Sequence, residues 1–416
     1  MQRLQTIENH LAPQQTFNAE KALPKSDDDV VIVGMARTAM TKAKRGAQKD
    51  TAPEVMLETV FKAVVQQSNI DAKHIQDVCV GNVLQPGAGA ATSRMAMFLA
   101  GLPETASLQA VNRQCSSGLQ AVMTIANAIR ARQIDVGIGA GVESMSNFAM
   151  EGSVDPNVLS QKVFEHPVAQ NCLMPMGLTS ENVASKYGIT RQQQDQMAYE
   201  SHQKAARAMK EGWLQKEITP YKTIIKDQDG NEKEILVDKD DGCRAETTVE
   251  GLGKLKPAFK KDGTTTAGNS SQVTDGAAAV LLARRDVAKK LGLKIYGRVV
   301  SFAVAGVPPE IMGIGPAVAI PAALKKAGLE VKDIDVFEIN EAFASQATYS
   351  VQVVGVPKEK LNPRGGAIAL GHPLGCTGAR MVTTLFHELE RTAKRYGVIS
   401  MCIGTGMGAA GVFERE

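Results

Sequence analysis

One unit of sequence occurs twice in this chain, and no other feature limits its possible folds as tightly. CSSGLQAVMTIANAIRARQ followed by IDVGIGAGVESM begins at Cys115, and CTGARMVTTLFHELERTAKR followed by YGVISMCIGTGM begins at Cys376. Each reads in the same order: turn, amphipathic helix, buried strand, glycine-rich turn. Gly118 aligns with Gly378, Val122 with Val382 and Gly137 with Gly397. The repeat predicts two similar α/β halves.

The text around the two units agrees. From residue 29 to 145, short apolar runs (VVIVGMA, DVCVGNVL, LQAVN, DVGIGAGV) alternate with helical ones such as PEVMLETVFKAVVQQ. That is α/β alternation with mostly buried strands. Residues 146–272 change to long polar helices such as TRQQQDQMAYESHQKAARAMKEG and to the charged, hairpin-like IIKDQDGNEKEILV. They read as an inserted, more solvated loop domain. TDGAAAVLLARRDVAKKL returns to the earlier style, so residues 273–295 complete the first half and 296–416 form the second. Residues 1–28 are a polar arm.

A length of 416 residues is too great for one ordinary core. The net charge of +3 implies no nucleic-acid footprint, and 4% aromatic content weakens base stacking further. No apolar run reaches the roughly 18–20 residues of a membrane span. The six cysteines lack C-x-x-C spacing, which argues against disulfides and structural zinc. His372 and Cys376 are four apart, but Pro373 and Gly375 oppose a shared helical face, so no metal is expected. The G-I-G-A-G at 137–141 lacks the full dinucleotide fingerprint. Cys79 reads as a core thiol, and Cys172 and Cys243 as unremarkable surface residues.

Four polar segments, each closing an apolar run, predict one composite active site. N-R-Q-C-S-S-G at 112–118 places Cys115 just ahead of a strong helix, where the macrodipole favours a thiolate. G-H-P-L-G holds His372 between glycines, with no apolar face to pack on. Asn340, in N-E-A-F, follows the buried strand DVFEI. Cys402 follows the strand GVISM and precedes G-T-G-M-G, whose backbone can approach a ligand closely.

These four motifs, in this order, resemble those of the thiolase family from about Val30 onward. The resemblance implies a thiolase-like α/β fold, two similar halves layered αβαβα with an inserted loop domain. It implies an acyltransferase that cleaves 3-ketoacyl-CoA through an acyl-cysteine. On the matching positions, Cys115 carries the acyl group. His372 activates that thiol and donates to an oxyanion, and Asn340 holds a water there. Cys402 is the general acid and base, and the N–H of Gly404 forms a second oxyanion hole with that of Cys115. G-N-S-S at 268–271 matches the family's pantetheine turn, with Ser271 as the hydroxyl. Arg244 matches the arginine at the nucleotide end, although Lys254, Lys256, Lys260 and Lys261 offer the same charge nearby. Met176 lies in Pro-Met-Gly, as in degradative members, where acetoacetyl-specific ones tend to have His-Met-Gly.

Coenzyme A is then a co-substrate, no permanently bound cofactor is expected, and a homodimer is implied. R-L-x5-H-L, at Arg3 to Leu11, is similar to the type-2 peroxisomal targeting signal, so a peroxisomal import receptor and the peroxisomal matrix are expected; FERE at the end is no S-K-L tripeptide. The competing expectations are acetoacetyl-CoA synthesis and a non-catalytic CoA- or lipid-binding relative. A condensing synthase would lack Cys402.

Overall fold

The computed structural model describes residues 24–150 and 154–416, so the arm with Arg3 and His10 lies outside it. The first half contributes β1 (Val30–Arg37), β2 (Thr41–Lys42), α1 (Pro53–Ser68), β3 (Asp77–Gly81), α2 (Ala90–Leu99), β4 (Ser107–Val111), α3 (Ser117–Arg130) and β5 (Val136–Ser144). Then come α4 (Met176–Tyr187), α5 (Arg191–Lys210) and the hairpin β6 (Tyr221–Lys226) and β7 (Glu232–Val237). Strand β8 (Thr274–Arg284) returns to the first sheet. The second half is β9 (Gly297–Gly306), α6 (Gly315–Ala327), β10 (Val336–Ile339), α7 (Ala344–Val354), α8 (Leu374–Thr392), β11 (Tyr396–Ile403) and β12 (Met407–Arg415).

Strands run β4-β3-β5-β8-β1 in the first half and β9-β12-β11-β10 in the second. Among the described residues the two sheets pair at Val31↔Arg298 and Ile32↔Gly297. The order β3-β5-β8-β1 is repeated as β10-β11-β12-β9, with the same parallel and antiparallel pairs. The three largest apolar clusters mark the layers. One lies under α1 and α2, one under α6 and α7, and one between the sheets, around α3 and α8. The layers are therefore helix, sheet, helix, sheet, helix. A helix between two sheets has no solvent face, and α8 accordingly buries almost all of its 19 residues.

Small residues allow α3 and α8 to cross. A Cβ on Gly118 would lie 2.6 Å from the Gly375 carbonyl oxygen and 2.9 Å from the Ala379 nitrogen. One on Gly378 would strike the backbone of Leu119. Position 118 thus meets 379 while 378 meets 119, the reciprocity of a pseudo-two-fold axis. Gly137 packs on Ile125 and Gly397 on Leu385, again equivalent positions.

The segment between β5 and β8 is tied to the core by buried charge. Arg37, fully buried at the end of β1, donates to Asp240 at 2.8 Å and to Glu217 at 2.9 Å. Removing one member of such a cluster would leave a buried charge unpaired, typically costing about 3–5 kcal/mol.

Candidate active site

Cys115 lies in the turn between β4 and α3. Ser117 closes this turn: its hydroxyl donates to the Gln114 carbonyl at 2.6 Å and accepts the Arg113 N–H at 2.9 Å. The Cys115 sulfur faces two backbone N–H groups, those of Gly404 and of Cys115 itself. Burial nevertheless outweighs both and pushes the thiol up to about 11. Burial thus works against the helix-terminus thiolate expected from the sequence and favours the neutral thiol.

Cys402, at the end of β11, is fully buried among Met312, Ala342, Phe343 and Met176. Burial and the neighbouring charge that Cys115 would carry both raise its pKa well above the usual thiol value. The two sulfurs are thus neighbours. The following turn bends at Thr405 (φ 69°) and Gly406 (φ 95°). A side chain at 406 would also strike the Val307 carbonyl, so glycine is required there twice over. Gly404 faces Gln114 and the Met176 sulfur.

His372 is buried, with both ring nitrogens within hydrogen-bond distance of a polar side chain. The Thr377 hydroxyl donates to the Pro373 carbonyl at 3.1 Å, so it accepts from His372 Nδ1–H at 2.6 Å. That assigns the tautomer and leaves Nε2 as a lone pair, facing Asn340 Nδ2 at 3.3 Å. Burial and the Arg380 guanidinium lower the ring to about 3, so it is neutral. Asn340 is held by its backbone, donating to Ser400 O at 2.9 Å and accepting from Gln346 Nε2 at 2.8 Å. Its Oδ1 is buried without a hydrogen-bond partner among the described residues, an acceptor open to a small polar molecule.

The profile described as "Thiolase, N-terminal domain" matches residues 30–286, and "Thiolase, C-terminal domain" matches 293–415. The chain belongs to the thiolase family. "3-Ketoacyl-CoA thiolase, peroxisomal" of Homo sapiens is 57% identical over 423 residues, covering 100% of this chain and 99% of that one. The crystal structure of the dimeric peroxisomal thiolase of Saccharomyces cerevisiae is 49% identical with a TM-score of 0.86, covering 95% of this chain and 99% of that one. The human mitochondrial 3-ketoacyl-CoA thiolase in complex with CoA is 35% identical, TM-score 0.84, covering 96% of this chain and 100% of that one.

In this thiolase Cys115 meets Gly404, which faces Met176, and Cys402 packs on Met176, Ala342 and Phe343, while His372 pairs with Asn340, two residues before Ala342. Ser271 is half-buried and donates its N–H to Ala342 O at 3.0 Å, next to Asn340. Arg244 is exposed on a separate loop and is not part of that cluster. Cys79 is buried, as expected, and Cys172 exposed; Cys243 is half-buried, its thiol donating to His202 O at 3.6 Å, which corrects its surface reading.

Four contributors escaped the sequence reading. Thr377 was seen only as part of a repeat. Glu143, at the end of β5, accepts from Asn82 Nδ2 and from the N–H groups of Val83, Leu84 and Gly375, joining the two halves beside both reactive turns. Burial pushes this carboxyl up to about 7, while the four donors favour its charged form. Gln272 Nε2 donates to Gly242 O and Ile368 O, both at 2.9 Å, and its backbone carbonyl accepts the His372 backbone N–H at 3.0 Å. Phe259 packs its ring on Gly177 and edge-on to Phe343, 6.1 Å between centroids. The available signals were weak: Glu143 closes the first repeat's glycine turn, and Gln272 follows Ser271.

Proposed function

We propose that this thiolase cleaves 3-ketoacyl-CoA with CoA to give acetyl-CoA and a chain-shortened acyl-CoA, the last step of fatty-acid β-oxidation. One observation carries the reading: the Cys115 sulfur faces the N–H groups of Gly404 and Cys115, with the Cys402 thiol beside it. Two thiols next to an oxyanion hole suit acyl transfer, in which one sulfur is acylated while the other moves protons.

His372 Nε2 takes the Cys115 proton as the sulfur attacks the 3-keto carbon. A neutral imidazole this weakly basic does not ionise the resting thiol, so proton transfer accompanies attack. The C2–C3 bond breaks and its electron pair passes into the acetyl-CoA enolate. His372 and a water held by Asn340 stabilise the enolate oxygen, and Cys402 protonates its carbon. Incoming CoA then gives its thiol proton to Cys402, attacks the acyl-Cys115 carbonyl and frees Cys115, which recovers its proton from His372. The Gly404 and Cys115 N–H groups hold the tetrahedral oxyanion.

CoA enters as a co-substrate, with its pantetheine along Ser271 and Met176 and its nucleotide end near Arg244. The solved relative in complex with CoA supports CoA as the ligand. Phe259 and Phe343 offer an apolar wall for the pantetheine or acyl chain. The yeast relative is dimeric, and a homodimer is the working form here. The protein belongs in the peroxisome, in keeping with the human and yeast relatives, and an import receptor for the N-terminal arm is the corresponding partner. We divide the chain into the arm 1–28, a first half of 29–145 with 273–295, a loop domain of 146–272 and a second half of 296–416. The return of β8 to the first sheet supports this division.

A thiolysis assay across 3-ketoacyl chain lengths tests the reading. Pro175-Met176-Gly177 leads us to expect turnover of medium and long substrates as well as acetoacetyl-CoA. Cleavage of the four-carbon substrate alone would overturn the degradative assignment.

A further inference from the structure

We propose that His202 and Gln203, on α5, are positioning residues that clamp the 243–247 loop so that Arg244 meets the nucleotide end of CoA. The proposal rests on the reading of Arg244 given above and explains how an exposed arginine on a short loop is held ready. A mobile loop would surrender conformational entropy each time it bound CoA. A loop held in place beforehand does not.

The clamp is a set of bonds from two successive residues of one helix. The Arg244 N–H donates to His202 Nδ1 at 3.2 Å, and the Cys243 thiol donates to the His202 carbonyl at 3.6 Å. Gln203 Nε2 donates to Ala245 O at 3.0 Å and Thr247 O at 3.4 Å. The loop closes on itself, with Thr247 donating from Oγ1 to Arg244 O at 2.8 Å and from N at 3.2 Å. Its upstream end is fixed elsewhere: Asp240 accepts from Met40 N, Asp241 from Lys42 N, and Gly242 O from Gln272. From 243 onward, α5 is the support.

His202 is buried, where an apolar residue would satisfy packing alone. Burial and the Arg244 charge push the ring down to about 4, with Lys42 acting the same way and Glu246 opposing. The ring is therefore neutral at working pH, with Nδ1 an acceptor for the Arg244 N–H and the proton on Nε2. Neither residue touches Cys115, His372, Asn340 or Cys402. The expected consequence is selective: a thiol carrying the nucleotide benefits from the clamp, whereas pantetheine, which ends short of Arg244, does not.

Steady-state thiolysis by the full-length enzyme, with CoA or pantetheine as acceptor thiol, tests this. His202→Leu and Gln203→Met should each raise KM for CoA roughly 3–10-fold, the size of a lost positioning hydrogen bond, with kcat near wild type. Neither should alter the pantetheine parameters. His202→Asn, which keeps an acceptor at the δ position, should restore the CoA value. Equal losses with both thiols, or a fall in kcat, would mean general structural damage and overturn the clamp. If Arg244→Ala weakens CoA binding while His202→Leu and Gln203→Met do not, the clamp alone is wrong. If Arg244→Ala leaves KM for CoA unchanged, the Arg244 reading fails and the clamp with it. Should His202→Leu not fold, Gln203→Met at a half-exposed position carries the test.

Discussion

Ser117 and Thr377 occupy equivalent places in the sequence repeat, the first at the start of α3 and the second one turn into α8, yet they serve different partners. Ser117 spends both its hydroxyl bonds on its own turn, through Arg113 N and Gln114 O. Thr377 spends one on its turn, through Pro373 O, and the other on His372 Nδ1. The scaffold is the same; the difference is what stands upstream of the hydroxyl. In the first half the turn presents a thiol to backbone N–H groups, and in the second it fixes a histidine tautomer. The repeat supplies two glycine-rich turns meeting at one axis, and differences at a few positions make them complementary.

The comparison is broken most forcefully at the thiols. Cys115→Ala should take no acetyl label from acetyl-CoA, and Cys402→Ala should still take it slowly, with carbon–carbon bond formation down by roughly 10²–10⁴. Peptide mapping after acid quench locates the label, and finding it on Cys402 would reverse the roles. Next comes alkylation by iodoacetamide. With Cys115 pushed up to about 11, its thiolate fraction grows with pH, so the rate should climb about tenfold per unit from pH 7 towards 10. A plateau near pH 7 would mean a standing thiolate.

Thr377→Val should lower kcat roughly 10–100-fold with little change in KM, because His372 loses the acceptor that keeps Nε2 unprotonated. Thr377→Ser should recover most of the rate. Ser117→Ala, at the equivalent position, should act on stability by about 1 kcal/mol rather than on the pH profile, measured by urea unfolding. Equal kinetic effects at both positions would remove the distinction drawn here. The most symmetrical effect is expected at the helix crossing. Gly118→Ala and Gly378→Ala should each destabilise by about 1–3 kcal/mol, since each methyl meets the other helix's backbone. Unequal midpoints would show that the two sides of the axis do not carry the same contact.

Much of this molecule was legible in its sequence because local rules are strong where it matters. Periodicity of 3.6 in α3 and α8, buried apolar runs in β5 and β11, and glycine at the turns are set by backbone sterics and burial, so the repeat and its layers could be read. The same rules marked Cys115, His372, Asn340 and Cys402, each at the end of a strand or the start of a helix. What tertiary structure alone decided is electrostatic and relational. Burial reversed the expected ionisation of Cys115, because desolvation in the assembled cleft outweighs a helix terminus and two N–H donors. The tautomer of His372 depends on Thr377, five residues on, and the junction at Glu143 joins segments more than 200 residues apart. The His202 support of Arg244 spans 42 positions. Charge and hydrogen bonding act through space between chain segments, so their outcome is settled only when packing has removed the water.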